Sequence, residues 1–253
     1  MFGVPHKEKV KLMSTVKEHY ENVLSEVYVW MFDGFDNALK KSTHFFKMHK
    51  ISPTRSGVAI DLGAGCGFQS IPLAKAGFNV TAIDLDSKLL SDLKTHSSHL
   101  PIKIIQDDLI NFDQHTKDNA ELIVCMTDTI CHLESKGKVK SLFKKVIASL
   151  EEGGRFIVTF RDLSFELPEL DRFIPVKSDD NTVFTCFLEY EPETVKVHDL
   201  VYRKIDGNWS LNKSYYRKLR LSKEWTEEQL TTIGFTQFES TVDKGFVTVI
   251  SVK

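Results

Sequence analysis

Three glycines at alternating positions, Gly63, Gly65 and Gly67, follow directly on a short apolar run, Val58-Ala59-Ile60, that closes in Asp61. The run reads as a strand, and the turn after it leads into a helix expected from about Gln69 to Ala76. Glycines at such a turn let backbone amides come close to a ligand, and a helix start offers unpaired N–H groups. In an open parallel sheet this loop lies beyond the C-terminal strand ends, where ligands bind. Glycine-rich turns also serve plain tight packing, so the flanking residues must discriminate. A nicotinamide-type G-x-G-x-x-G starting at Gly63 requires glycine where Phe68 stands. No Lys or Arg lies between Asp61 and Pro72, and a phosphate-cradling Gly-Lys-Ser is absent.

Beyond the loop, strands and helices alternate. Strands are expected at Asn79 to Ile83, Ile102 to Ile105, Leu122 to Cys125 and Arg155 to Phe160, with helices at Ser87 to Ser97, capped by Ser87, and about Ser135 to Leu150. Continuous apolar strands between helices imply an α/β fold whose parallel sheet is covered on both faces, with right-handed crossovers. After Phe160 the texture becomes β-rich: Val183 to Tyr190, Val195 to Lys204 and Trp209 to Leu221, with a hairpin turn at Asp206-Gly207-Asn208. We read this as a small antiparallel sheet inserted into the α/β frame. A helix from about Lys223 to Thr232 and a closing hairpin, Phe235 to Ser240 and Phe246 to Val252, complete the chain. Ahead of the loop, Val10, Met13, Val16, Tyr20, Val23, Leu24, Val27 and Trp30 form one apolar stripe on a long helix ending at Asp33-Gly34, and a second helix runs from Ala38 to Lys50.

Composition narrows the partners. With 253 residues, a net charge of −2 and a pI near 6.5, a broad polycationic surface for nucleic acid or anionic lipid is not expected. Met1 to Val10 has no apolar stretch of the secretory type, and Val27 to Phe32 is too short to span a bilayer. Cys66, Cys125, Cys131 and Cys186 form no C-x-x-C pair, so four buried, reduced thiols in a cytoplasmic protein are expected. His96 and His99 have no acid or thiol clustered with them, and no metal site is expected.

The acids at the strand ends are the sharper signal. Asp61 precedes the first glycine by two positions, the second strand ends in Asp84, the third in Gln106-Asp107-Asp108-Leu109 and the fourth in Cys125-Met126-Thr127-Asp128. A carboxylate at the end of the second strand is placed to accept both hydroxyls of a ribose. In these features the chain resembles the class I S-adenosylmethionine-dependent methyltransferases, over roughly Gly57 to Phe160 plus the closing hairpin. The resemblance implies a Rossmann-like, seven-stranded sheet with the last strand antiparallel, and S-adenosyl-L-methionine as cofactor. It implies that Asp61 helps hold the methionine amino group and that Gly63, Gly65 and Gly67 line the methionine and ribose, with Ala64 and Gln69 beside them on the loop. Asp84, next to Leu85, takes the ribose hydroxyls, and Asp108 with the Leu109 amide takes the adenine amino group. Met126 and Thr127 border the methionine end. One departure is Glu152-Gly153-Gly154 where members often carry Pro-Gly-Gly.

Methyl transfer from an activated sulfonium needs positioning and exclusion of water more than an acid–base pair. Candidate acceptor-side residues are Asp128, to orient an amine or hydroxyl; His132, as a base; and Arg161, to pair an acidic group. Tyr215 and Arg217 share one face of a strand in the insert. Tyr20 and Trp30, ten positions apart on the first helix, are expected to share a face toward the sulfonium. The organisation expected is an N-terminal helical lid (1–56), a cofactor-binding α/β part (57–162 and 222–253) and an inserted β region (163–221) that binds the acceptor. The expected function is methylation of a small-molecule acceptor, with no nucleic acid and no membrane. RNA or protein methylation, and a non-catalytic cofactor-binding regulator, are the alternatives.

Overall fold

The computed structural model describes residues 15–253. Met1 to Val10 and Met13, on which expectations were placed, lie outside the described residues. The main sheet has seven strands: β1 (Val58–Leu62), β2 (Asn79–Asp84), β3 (Ile102–Gln106), β4 (Ala120–Cys125), β5 (Leu150–Arg161), β10 (Gln237–Asp243) and β11 (Phe246–Val252), in spatial order β10-β11-β5-β4-β1-β2-β3. β3, β2, β1, β4 and β5 run parallel, and β11 enters antiparallel between β5 and β10. The carboxyl ends of the five parallel strands therefore face one edge, with the order reversing between β1 and β4. β4 is buried at all six positions, as a strand covered on both faces must be.

Alternation along the strands divides the core. Ile60, Leu62, Ile123, Phe156 and Val158 pack on one side with Phe143 of α6 (Lys136–Ser149) and Leu230 of α7 (Lys223–Thr232). Ala59, Val80, Leu122, Val124 and Ile157 pack on the other with Phe46 of α3 (Phe35–Met48) and Leu73 of α4 (Ser70–Lys75). α5 (Ser87–His96) is capped by Asp86 and not by Ser87: the Asp86 carboxylate accepts from the Lys88 and Leu89 amides. Asp is as strong a cap as Ser, and here it also carries a bond to another element.

The second sheet is four-stranded and antiparallel: β6 (Phe173–Ser178), β7 (Thr182–Tyr190), β8 (Thr194–Ile205) and β9 (Asn208–Leu219), in sequential order. β6 was not anticipated, because Pro175 reads as a strand breaker; it is an edge strand, where proline is tolerated. The β8–β9 turn is as expected, with Asp206 and Gly207 at φ 50° and 80°. On the outer face Phe173, Phe187, His198 and Tyr215 stand opposite one another in register, an aromatic row across all four strands. The inner face (Phe184, Leu188, Val195, Val197, Val201, Tyr216) packs on Val23, Leu24 and Val27 of the N-terminal helix.

That helix is α1 (Val16–His19), a π-helical turn (Tyr20–Leu24) and α2 (Ser25–Met31). A π turn takes one residue more than an α turn, so position i+8 occupies the place of i+7. Tyr28 accordingly stands beside Tyr20, ring centroids 6.2 Å apart. Trp30 rotates off that face. Of the cysteines, Cys66, Cys125 and Cys131 are buried and Cys186 is half-buried. Among the described residues no helix is long and apolar enough to cross a membrane.

The loop before β1 is held by one carboxylate. Glu121, 6 % exposed, accepts from the amides of Thr54, Arg55 and Gly57 and from the Thr54 hydroxyl. Burial alone would raise its pKa, but these donors outweigh it and hold the carboxyl below its ordinary 4.5. The stabilisation is therefore complete above pH 4.5 and lost as pH falls through the lower, folded-state value. Glu121→Gln is expected to lower stability by about 2 kcal/mol at pH 7 and to flatten the acid limb of the unfolding curve, read by urea titration between pH 3 and 7.

Candidate active site

The glycine loop spends its amides internally. Gly63 and Ala64 donate to the Ile83 carbonyl, Gly67 to Ala64, and Gly65 to Asp84 Oδ2 at 2.8 Å. The three glycine amides are thus not free to cradle a phosphate. A methyl group on Gly63 would overlap Thr129, and one on Gly67 would overlap Leu93, so both must be glycine at their positive φ.

Each strand-end acid is neutralised in its own way. Asp84 accepts from the Gly65 amide through one oxygen and the Asp86 amide through the other; burial raises its pKa and those amides partly offset the rise. Asp108 caps the 3₁₀ turn Leu109–Gln114 through Oδ1, and its own amide is fixed by Asp107. Asp61 lies beneath the loop, 1 % exposed, bonded to Ser70 Oγ at 2.6 Å, and burial pushes it up to about 7. After β4 the chain turns left-handed at two consecutive non-glycine residues, Thr127 (φ 58°) and Asp128 (φ 70°). Such strain persists only where it is pinned. The Thr127 and Asp128 amides donate to Thr159, and Asp128 Oδ1 accepts from the Arg161 amide.

A cleft of about 510 Å³ opens over these ends. Of the expected cofactor residues, Gly63, Gly65, Asp84, Leu85, Asp108, Leu109, Thr127 and Tyr20 line it. Asp61, Ala64 and Gly67 support the loop from below without lining the cleft, while Gln69 and Met126 line a neighbouring chamber of about 660 Å³. Trp30 is in neither; its Nε1 donates to Asp179 and Lys177 sits over its ring, so the aromatic that joins Tyr20 is Tyr28. The pairing with Trp30 assumed an unbroken α-helix, and nothing in the sequence marks the π turn. Also unanticipated at the cleft are Asp86, Ile110 and Thr129.

The chamber lies between the main sheet and the insert. Its walls are mostly apolar, among them Phe32, Phe45, Phe68, Phe184, Leu188 and Phe246. Cleft and chamber share Tyr20, Tyr28, Thr127 and His132. Of the acceptor-side candidates, Asp128, His132 and Arg161 all line the chamber. Burial, with Lys218 second, lowers the His132 pKa to about 3, so the ring is neutral at pH 7. Its Nδ1 is buried with no hydrogen-bond partner, and the ring stacks on Tyr216. Burial would raise the Asp128 carboxyl, but Lys218 Nζ, 2.8 Å away, brings it below the usual range. Of the β9 pair, Arg217 is on the other face with Glu191, and Tyr215 belongs to the outer aromatic row. The residues missed were Lys218 and Asp199, which a strand pattern offers only as polar positions in β-rich sequence.

Breaking the half-buried ion pair tests this account. Lys218→Met should cost about 3 kcal/mol by stranding Asp128, and adding Asp128→Asn should recover most of it; chemical denaturation of both variants provides the measurement.

Residues 59–154 match the methyltransferase-domain family. The putative methyltransferase YqeM of Bacillus subtilis (strain 168) is 27 % identical over 202 residues, 78 % of this chain and 81 % of that protein. An S-adenosylmethionine-dependent methyltransferase from Clostridium acetobutylicum ATCC 824 superposes with a TM-score of 0.73 over 90 % of this chain and 98 % of its own, at 18 % identity. CalS10 from Micromonospora echinaspora, an amino pentose methyltransferase whose structure holds S-adenosylmethionine, gives 0.70 over 90 % and 96 % at 11 % identity. The cleft suits that cofactor: carboxylates for a ribose and a cationic methionine end, and no Lys or Arg on the loop between Asp61 and Pro72 to pair a phosphate. The matched domain, the sheet order and the acids at its edge together support a class I S-adenosylmethionine-dependent methyltransferase.

Proposed function

We propose that this enzyme methylates a compact small-molecule acceptor held in the chamber beneath the insert. The observation that carries the reading is the common wall of cleft and chamber at Tyr20, Tyr28, Thr127 and His132, the place where donor and acceptor would meet. Bound in the cleft, S-adenosylmethionine supplies an electrophilic methyl group. Asp84 would accept from the ribose hydroxyls through lone pairs its two amides leave free, and Leu85, Leu109 and Ile110 would flank the purine beside Asp108. Asp61 would act on the methionine end through the loop it supports. Tyr20 and Tyr28 offer ring faces to a cation. Burial, then Asp84, keeps the Tyr20 phenol protonated, so it can donate but not attack.

In this reading the described part of residues 1–56 forms the lid and 163–221 the roof, and together they would exclude water from an in-line displacement. A chamber of about 660 Å³ accommodates a metabolite, not a polymer. CalS10, with a similar fold, is named for a sugar acceptor, which supports a small molecule here. A cytoplasmic setting fits four cysteines left as thiols.

Titration calorimetry with S-adenosylmethionine and its demethylated product, followed by a metabolite-library assay for that product, tests the proposal. Binding of neither compound would overturn it, and binding without turnover of any metabolite would leave a cofactor-binding regulator instead. Asp84→Ala should weaken cofactor binding about 30-fold, the worth of a charge-assisted contact near 2 kcal/mol. Tyr28→Ala should also weaken it, whereas Trp30→Phe should leave affinity unchanged within about two-fold.

A further inference from the structure

Asp199 sits in the middle of β8 with 1 % of its side chain exposed, yet it lines the acceptor chamber. A carboxylate this deep in an apolar chamber needs a positive partner. Asp128, the other inward acid, has one: Lys218 at 2.8 Å, together with the Arg161 amide. Asp199 has no Lys or Arg in contact among the described residues. One oxygen lies 2.8 Å from His19 Nε2 and the other accepts from the Cys186 thiol at 2.9 Å. Lys218 senses Asp199 only through space, being committed to Asp128. The join of cleft and chamber is thus ringed by acids: Asp84, Asp128, Asp199 and Asp86 all act on the Tyr20 hydroxyl. Among the described residues Lys138, Lys41, Arg161 and Lys218 also line cleft or chamber, and of these Lys218 alone is ion-paired with one of the four acids.

We propose that Asp199 anchors the acceptor and that the acceptor is a primary or secondary amine, bound as its ammonium, on a predominantly apolar body. The inference rests on the methyltransferase reading and adds the chemical class of the acceptor. Each carboxylate oxygen has a single hydrogen-bond partner and so a lone pair to spare, and the neighbours on the same sheet face, Phe184, Leu188 and Val197, line the chamber with carbon. An acidic acceptor would meet Asp199 with like charge. A neutral alcohol would bring no counter-charge and would leave that role to His19 alone. In the reaction the ammonium releases one proton to the Asp199–His19 pair. The freed nitrogen lone pair forms the new N–C bond as the C–S bond breaks, and that electron pair stays on sulfur. His19 comes from α1 and Asp199 from the insert, so the anchor is complete only with the first helix docked. His19 is entirely buried and its Nδ1 has no hydrogen-bond partner.

The experiment is calorimetry on the full chain saturated with the demethylated cofactor, using three matched probes: 2-phenylethylamine, 2-phenylethanol and phenylacetate. The expected ranking is amine first by at least about ten-fold and carboxylate last. Asp199→Asn is expected to erase the preference while cofactor affinity stays unchanged. Equal or tighter binding of the alcohol or the carboxylate overturns the proposal, as does no binding of any probe to cofactor-loaded protein. Retention of the amine preference in folded Asp199→Asn overturns it too. Should that variant fail to fold, the wild-type ranking decides alone. Failure of the cofactor itself to bind is a separate result, and it fells the methyltransferase reading together with this one.

Discussion

Five parallel strands deliver their carboxyl ends to one edge, and that shared edge forces Asp61, Asp84, Asp108 and Asp128 into one region. Like charges so gathered must each be answered locally. Backbone amides answer Asp84 and Asp108, a serine hydroxyl answers Asp61, and a lysine answers Asp128. Only the last is a full counter-charge, and it comes from the other sheet. The insert is therefore part of the electrostatics of the main sheet's edge as well as its cover. Its absence would leave a buried carboxylate pinned at a left-handed turn with nothing opposite.

How much of this was legible follows from the range of each interaction. β1, β2 and the glycine loop are written locally, in apolar runs and in the positions of Gly63 and Gly67, so their places were readable. The helix expected from about Lys223 to Thr232 is found over those residues, with Ser222 as its cap. β6 was hidden because Pro175 contradicts a strand unless the strand is known to lie at an edge, and edge status is a property of the assembled sheet. The Tyr20–Trp30 pairing failed on a single extra residue in one turn. The Asp128–Lys218 and His19–Asp199 pairs span 90 and 180 residues, and no periodicity announces such contacts.

The join between the two chambers combines neutrality at contact with negative charge one layer back. His132 is held uncharged by burial, and Tyr20 is held protonated. Neither would repel a sulfonium, and neither would compete with the acceptor as a nucleophile. The aromatic faces of Tyr28 and Phe68, stacked 5.7 Å apart, continue this surface toward the loop. Positioning, with attraction supplied from a distance, is the kind of catalysis an already activated methyl group requires.

Asp86 carries a last consequence. One oxygen holds the start of α5, while the other accepts from Ser25 of α2 at 2.8 Å. The two bonds use different oxygens, so loss of the Ser25 bond, worth about 1.5 kcal/mol, would leave the α5 cap in place. Water can take the vacated oxygen. A single carboxylate thus joins the first helix to α5 while its cap of α5 stands independently of that joint.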